Sequence, residues 1–170
     1  MSAERKKMVI LVSKGELDWA YPPFILASTG AASDMDVTMF FTFYGLPLLK
    51  KDLSPRITPF ANAAMPMKLP FGPTWLQKID WPMPYSVMTL LPWFQRLATW
   101  MMKRTFRQKN VATIAELRQA CIDLDVKMIG CQMTMDVFGF ERDEFIEGVE
   151  VAGAASFLEY ASNADVQFFI

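Results

Sequence analysis

The chain contains no histidine. That absence removes Ser-His-Asp triads, Cys-His nucleophiles and every His-ligated metal or haem. Cysteine is scarce as well. Two cysteines in 170 residues cannot build a structural zinc site or an iron–sulfur cluster. They also form no disulfide framework, which suits a reducing cytoplasm. An excess of charge of one sign is missing too: the net charge is −1, so no overall field favours nucleic acid. There is no GxGxxG and no Walker loop, and "SKGELDW" offers one glycine after a strand, too little to cradle a phosphate. Asp18, Asp34 and Asp36 read as caps and turn residues, not as metal ligands. No metal and no cofactor is expected. The opening "MSAERKKMVILVS" has a charged start but no long apolar region with a cleavage site, so no secretory signal is expected.

What is present is apolar residues, at 52%, slightly high for a soluble protein. The length suits one domain with a real core. Residues Met8 to Ser13 form a β-rich apolar run, as in a strand buried on both faces. "KGELDWAYPPFILASTGAASD" reads as a turn and a helix, with Asp18 as N-cap and Pro22 and Pro23 confined to the first turn. Asp36 to Phe43 is a second strand, which completes a parallel βαβ unit. The rhythm resumes after residue 110. "TIAELRQACIDLD" is an amphipathic helix with Thr113 as N-cap and Glu116 closing a capping box. "VKMIGC" is a strand, "ERDEFIEGVEVAGAASFLEYA" a helix broken near Gly153, and "VQFFI" a terminal strand. The predicted class is α/β with a mostly parallel sheet. Ligand sites in such sheets lie at the C-terminal strand ends. Ser13, the Phe43-Tyr44-Gly45 run and Cys131 all sit at such ends, and are expected to share one rim.

Residues 53–109 break the pattern with a Met/Pro/Trp-rich insertion. Between Leu53 and Ala115 stand eight Lys/Arg and one acid, Asp80, a net +7, leaving −8 on the remainder. The charge-free run Trp81 to Gln95 is too short and too often interrupted by proline to span a bilayer. The stretch that follows places Trp93, Phe94, Leu97, Trp100, Met101 and Phe106 at helical spacing. Arg96, Lys103, Arg104, Arg107 and Lys109 supply positive charge. This is the composition of a helix lying in a membrane interface. It is equally that of a helical lid or an oligomer contact, and both readings stand open. The basic residues are too few and their neighbours too apolar for nucleic acid.

The two cysteines read differently. Cys121 shares a helix face with Ile114, Leu117 and Leu124, the spacing of a core stripe, and reads as packing. Cys131 ends a parallel strand. Backbone amides of the following turn, and any helix begun near Asp136 or Glu141, would lower its pKa. Thr134 offers a hydroxyl, whereas Asp136 would act in the opposite sense. Position alone leaves function and packing both open for Cys131.

Four stretches, in order, carry a resemblance: "LDWAYPPFILASTGAASDMDVTMFFTFYGLPLLKK", "TIAELRQACIDLD", "VKMIGCQMTMDVFGF" and "GVEVAGAASFLEYASNADVQFFI". The chain resembles the DsrE/DsrF-like sulfur-relay proteins, in particular the larger DsrE-type members often labelled peroxiredoxin-like or sulfurtransferases. The resemblance covers the α/β core. It implies a single flavodoxin-like, three-layer α/β/α sandwich over residues 1–170, with 53–109 inserted, that forms homo-oligomers. It implies that Cys131 carries sulfane sulfur as a persulfide, exchanged with TusA-like or other sulfur-carrier proteins; from their positions Thr134, Asp136, Ser13, Tyr44 and Gly45 are expected in support. The insertion also looks like the variable, apolar, often membrane-associated middle of these larger members; the expectation is a cytoplasmic protein, peripheral at the inner membrane face through Trp93, Phe94, Arg96, Trp100, Lys103, Arg104 and Arg107. A thiosulfonate on Cys131 is a further option within the family. A peroxidase is not implied, because no Thr and Pro closely precede the cysteine. The contrasting expectation is a non-catalytic scaffold that docks a membrane or protein partner. A flavin or nicotinamide redox enzyme rests on fold analogy alone.

Overall fold

The computed structural model describes residues 5–58, 72–79 and 92–170. Most of the insertion's proline-rich part, including Asp80 and the run from Trp81 to Leu91, lies outside these. The chain divides into two compact units, one of Met1–Pro55 with Ile114–Ile170 and the other of Arg56–Thr113.

The first unit is built on a five-stranded sheet in the order β4-β3-β2-β1-β5. Its strands are β1 (Lys7–Val12), β2 (Asp36–Phe41), β3 (Lys127–Cys131), β4 (Glu150–Ala152) and β5 (Val166–Phe169). Every neighbouring pair is parallel. Helices α1 (Leu17–Ala32) and α4 (Ile114–Asp123) pack against each other. They cover one face, where Phe24 of α1 meets Phe41 with ring centroids 5.9 Å apart. The neighbouring residue, Phe40, points the other way, as strand alternation requires. There it meets Phe157 of α6 (Ala154–Ser162) at 5.3 Å. Ile129 and Cys131 pack into that second face with Phe40. The result is the α/β sandwich expected from the alternation of strands and helices.

Several local expectations are corrected. Helix α1 begins at Leu17 with Glu16 as N-cap, so Asp18 lies in its first turn instead. Pro22 and Pro23 sit inside the helix, beyond that turn. Two proline rings remove two ladder hydrogen bonds, but Pro23 and Phe24 are fully buried, and core packing outweighs local propensity. Leu124 falls after the end of α4 and is exposed, so the buried stripe is Ile114, Arg118 and Cys121. The expected helix from Glu141 is a 3-10 turn, Arg142–Glu144, followed by β4, and helix begins only at Ala154. A 3-10 helix, Phe43–Leu49, follows β2.

The described part of the second unit holds a short helix α2 (Thr74–Gln77) and α3 (Pro92–Gln108). Within it, Thr99 Oγ1 accepts from the Ile57 amide and Gln95 Nε2 donates to the Ile57 carbonyl. No described helix is long and apolar enough to cross a membrane.

Candidate functional site: a hydroxyl- and amide-lined thiol

β3 ends and the next helix, α5 (Gln132–Phe138), starts without an intervening loop: Cys131 is both the last strand residue and the N-cap. The amides of the first turn have no intrahelical acceptor, and here they point at sulfur. The backbone amides of Met133 and Thr134 and the hydroxyls of Thr134 and Thr42 are placed to hydrogen-bond the Cys131 sulfur. Burial by itself pushes this thiol up. The four hydrogen bonds outweigh it, and the net effect holds the Cys131 pKa below its ordinary value. A raised thiolate fraction follows. The side chain is nonetheless only 5% exposed.

Sheet register explains Thr42. Val12 pairs with Phe41, and Phe41 with Gly130. One residue further on, Ser13, Thr42 and Cys131 stand side by side on adjacent strands and on one face. Thr134, 1% exposed, closes the arrangement. Its Oγ1 lies 3.3 Å from Thr42 Oγ1 and accepts a 3.1 Å bond from the Phe43 amide. Phe43 adopts φ 45° to make that bond, a left-handed conformation unfavourable for a residue with a β-carbon.

Gly45 and Gly15 allow the chain to fold this tightly. A β-carbon on Gly45 would stand 2.3 Å from the Val12 carbonyl oxygen, and one on Gly15 2.1 Å from that of Tyr44. The 3-10 helix after β2 and the helix after Cys131 share an aromatic apron. Exposed Phe43 and Tyr44 meet Phe138 at 6.4 and 6.1 Å, with Met133 and Val137 exposed beside them.

The residues singled out from sequence separate into groups. Thr134 bonds the sulfur. Asp136 is exposed and accepts a 2.7 Å bond from Gln132 Nε2; it is not among the groups bonded to Cys131. Ser13 donates its hydroxyl to the Ile170 carbonyl at 3.0 Å. Gly45 acts through close approach, and Tyr44 belongs to the apron. Thr42 and the Met133 amide were missed. The first needs the register, and the second needs a helix that starts directly at the cysteine.

Cys121 is the counter-case. It is fully buried, donates weakly to the Phe24 carbonyl at 3.7 Å, and is pushed up to about 12 by burial. It is a packing residue. No cluster of three or more metal-ligating side chains occurs among the described residues.

In the second unit, α3 exposes Trp93, Arg96, Leu97, Trp100, Lys103, Arg104 and Arg107, a stripe at intervals of three and four residues. The Arg104 guanidinium lies 5.4 Å from the Trp100 ring. Phe94 turns inward and is buried, because it sits one position off this stripe, with Ala98 and Met101; it is removed from the contact set.

The class of protein is therefore a parallel α/β sandwich with a buried cysteine of lowered pKa at the C-terminal end of β3. The DsrE/DsrF/DrsH-like family model matches residues 4–169, and the chain belongs to that family. It is 51% identical over 168 residues to the sulfur carrier protein DsrE2 of Allochromatium vinosum, covering 98% of this chain and 99% of that protein. It is 30% identical to the uncharacterized protein YrkE of Bacillus subtilis over the whole of both chains. Among solved structures, the YchN protein of E. coli superposes with a TM-score of 0.54 at 11% identity, over 97% of this chain and 99% of that one. That likeness concerns the fold alone.

Proposed function

We propose that this chain is a sulfur carrier that holds sulfane sulfur as a persulfide on Cys131 and hands it to a partner thiol. The observation that carries the reading is the set of hydroxyl and amide donors on the Cys131 sulfur, which favours thiolate without any histidine. The identity with a protein named as a sulfur carrier supports it. In the loading step the Cys131 thiolate attacks the outer sulfur of a polysulfide. A new S–S bond forms, and the shortened polysulfide leaves with the electron pair of the broken bond. With thiosulfate the leaving group is sulfite. No outside oxidant is needed.

In this reading the domain spans residues 1–170 with 53–109 inserted, forms homo-oligomers, and exchanges sulfur with TusA-like or other carriers. It rests peripherally on the inner membrane face. The exposed Trp and Arg/Lys stripe of α3 supports that last point, since indole rings suit headgroup depth and basic side chains suit anionic lipid. Trp93→Ala with Trp100→Ala is expected to abolish sedimentation with anionic vesicles. Undiminished binding would count against the membrane role.

Intact-protein mass after incubation with polysulfide tests the chemistry. Wild type and Cys121→Ser should gain one or more sulfur atoms in a reductant-sensitive manner, and Cys131→Ser should gain none. Equal gain in all three would sink the assignment. The rival reading is a non-catalytic scaffold in which Cys131 only packs, favoured by its 5% exposure. A native protein whose Cys131 resists both polysulfide and alkylating agents would select that rival.

A further inference from the structure

We propose that Thr42 is a working hydroxyl donor to the Cys131 sulfur, and that the Thr42–Thr134 pair biases the site toward releasing sulfur over storing it. This rests on the sulfur-carrier reading above and specifies how the carrier is poised.

The geometry comes first. Thr42 is extended at the end of β2, and its amide continues the ladder by bonding to the Val12 carbonyl at 3.0 Å. Register therefore fixes its side chain beside Cys131 on the same sheet face. Thr134 is fixed from the other side by α5, and the Phe43 amide occupies an acceptor position on its oxygen. Each hydroxyl has one proton to give. Two arrangements are open to the pair. Both protons can point at sulfur, or one threonine can donate to the other across their 3.3 Å separation. The first suits an anionic sulfur and the second an uncharged one.

Loading changes which sulfur carries the charge. In the empty site the charge is on Sγ. In a persulfide it sits on the outer sulfur, about 2 Å further out. Donors held by β2 and by the first turn of α5 are built around Sγ and do not follow it. They stabilise the empty thiolate more than the loaded state. During unloading an acceptor thiolate attacks the outer sulfur, the S–S bond to Cys131 breaks, and its electron pair returns to Sγ. The acceptor leaves as a persulfide. Cys131 is the leaving group, and a leaving thiol of lower pKa departs faster, while as an attacker it is weaker per thiolate.

Charged and titratable side chains on the surrounding elements are Lys7 on β1 with Lys14 and Glu16 after it, Asp36 on β2, Tyr44 on the 3-10 helix, Lys127 on β3, Glu150 on β4, Asp136 on α5, and Glu159 and Tyr160 on α6. Lys127 is engaged with Glu150 at 3.0 Å and donates to Tyr160 at 2.9 Å. Asp136 accepts from Gln132.

The test uses the full chain as Thr42→Val and Thr42→Ser, with circular dichroism to check the fold. The pH profile of iodoacetamide labelling at Cys131 is read by peptide mass. Release of sulfur from polysulfide-loaded protein to glutathione is timed separately. Thr42→Val should lower labelling at neutral pH by about tenfold, the equivalent of one charge-assisted hydrogen bond. Its profile should move to higher pH and reach a plateau at or above that of wild type. Release should slow by several-fold, and Thr42→Ser should restore both. An unmoved profile, equal slowing at every pH, or failure of serine to rescue would overturn the donor role. Unchanged release beside a shifted profile would overturn the release bias alone. If wild type takes up no sulfur, the carrier reading falls together with that bias, while labelling still decides the donor.

Discussion

Removing the Cys121 thiol should make stability less sensitive to alkali, by an amount the structure sets. Cys121 is fully buried between α4 and α1, and its thiol is pushed up to about 12. In the unfolded chain the same thiol titrates near about 8.5. Below that value both states hold the proton and pH has no effect through this group. Between the two values only the native state holds it, so stability falls as pH rises, by up to about 1.4 kcal/mol per pH unit. From pH 7.5 to pH 10 the loss is about 2 kcal/mol, a sizeable share of the roughly 5–15 kcal/mol of a typical domain. Cys131 acts in the opposite sense. Its depressed native pKa gives stability that is fully present above the unfolded value and is lost as pH falls through the native one. Comparing wild type with Cys121→Ala cancels this second effect. Urea unfolding of both proteins in reductant should show the alanine variant less stable at pH 7.5. Near pH 10 that gap should shrink by about 2 kcal/mol. A gap that stays constant across this range would refute the argument that Cys121 is held protonated by burial.

Gly45→Ala drives a β-carbon to 2.3 Å from a backbone oxygen of β1, and neither partner is a flexible side-chain end. A loss of about 3 kcal/mol is expected from such overpacking, read as a lower urea midpoint, together with altered Cys131 labelling as the 3-10 helix shifts. Thr134→Val keeps the shape but strands the Phe43 amide and removes a donor from the sulfur. Stability should drop by about 1–3 kcal/mol, and the labelling profile of Cys131 should move further toward alkaline pH than in Thr42→Val. A profile that does not move would show that the hydroxyl is structural only.

Periodicity and strand composition were enough to locate β1, β2, β3, β5, α1 and α4; in β1, β2 and β3 the apolar run matches the burial, whereas β5 exposes Phe168 and Phe169 and α4 buries Arg118 in its stripe. The stretch from Gln132 to Ala152 was not legible in this way. Helix α5 is seven residues long, with no polar capping side chain before it, since the N-cap is the cysteine itself. "ERDEFIEGVEV" carries the charge density of a surface helix, yet it forms a 3-10 turn and the start of an edge strand that pairs with β3, the strand just before it in the chain. The same limit applies to the site. Cys131 and Thr134 are three residues apart and can be read together on one short stretch. Thr42 lies about ninety residues away, and only the register of three parallel strands brings it to the sulfur. Asp136 looked equally close in sequence but rotates to solvent, as its offset from Thr134 on a helix dictates.

The absence of any loop between β3 and α5 has a consequence for how this site can diversify. Inserting or deleting one residue after Cys131 would rotate every amide of α5 by about 100° about the helix axis, and would carry Thr134 away from both the sulfur and the Phe43 amide. Length variation, the common way in which α/β domains acquire new specificities, is closed at this junction. Reactivity of the thiol here changes by substitution of side chains on a fixed frame, and differences in thiol reactivity among relatives should map onto residue identities at positions 42, 133 and 134.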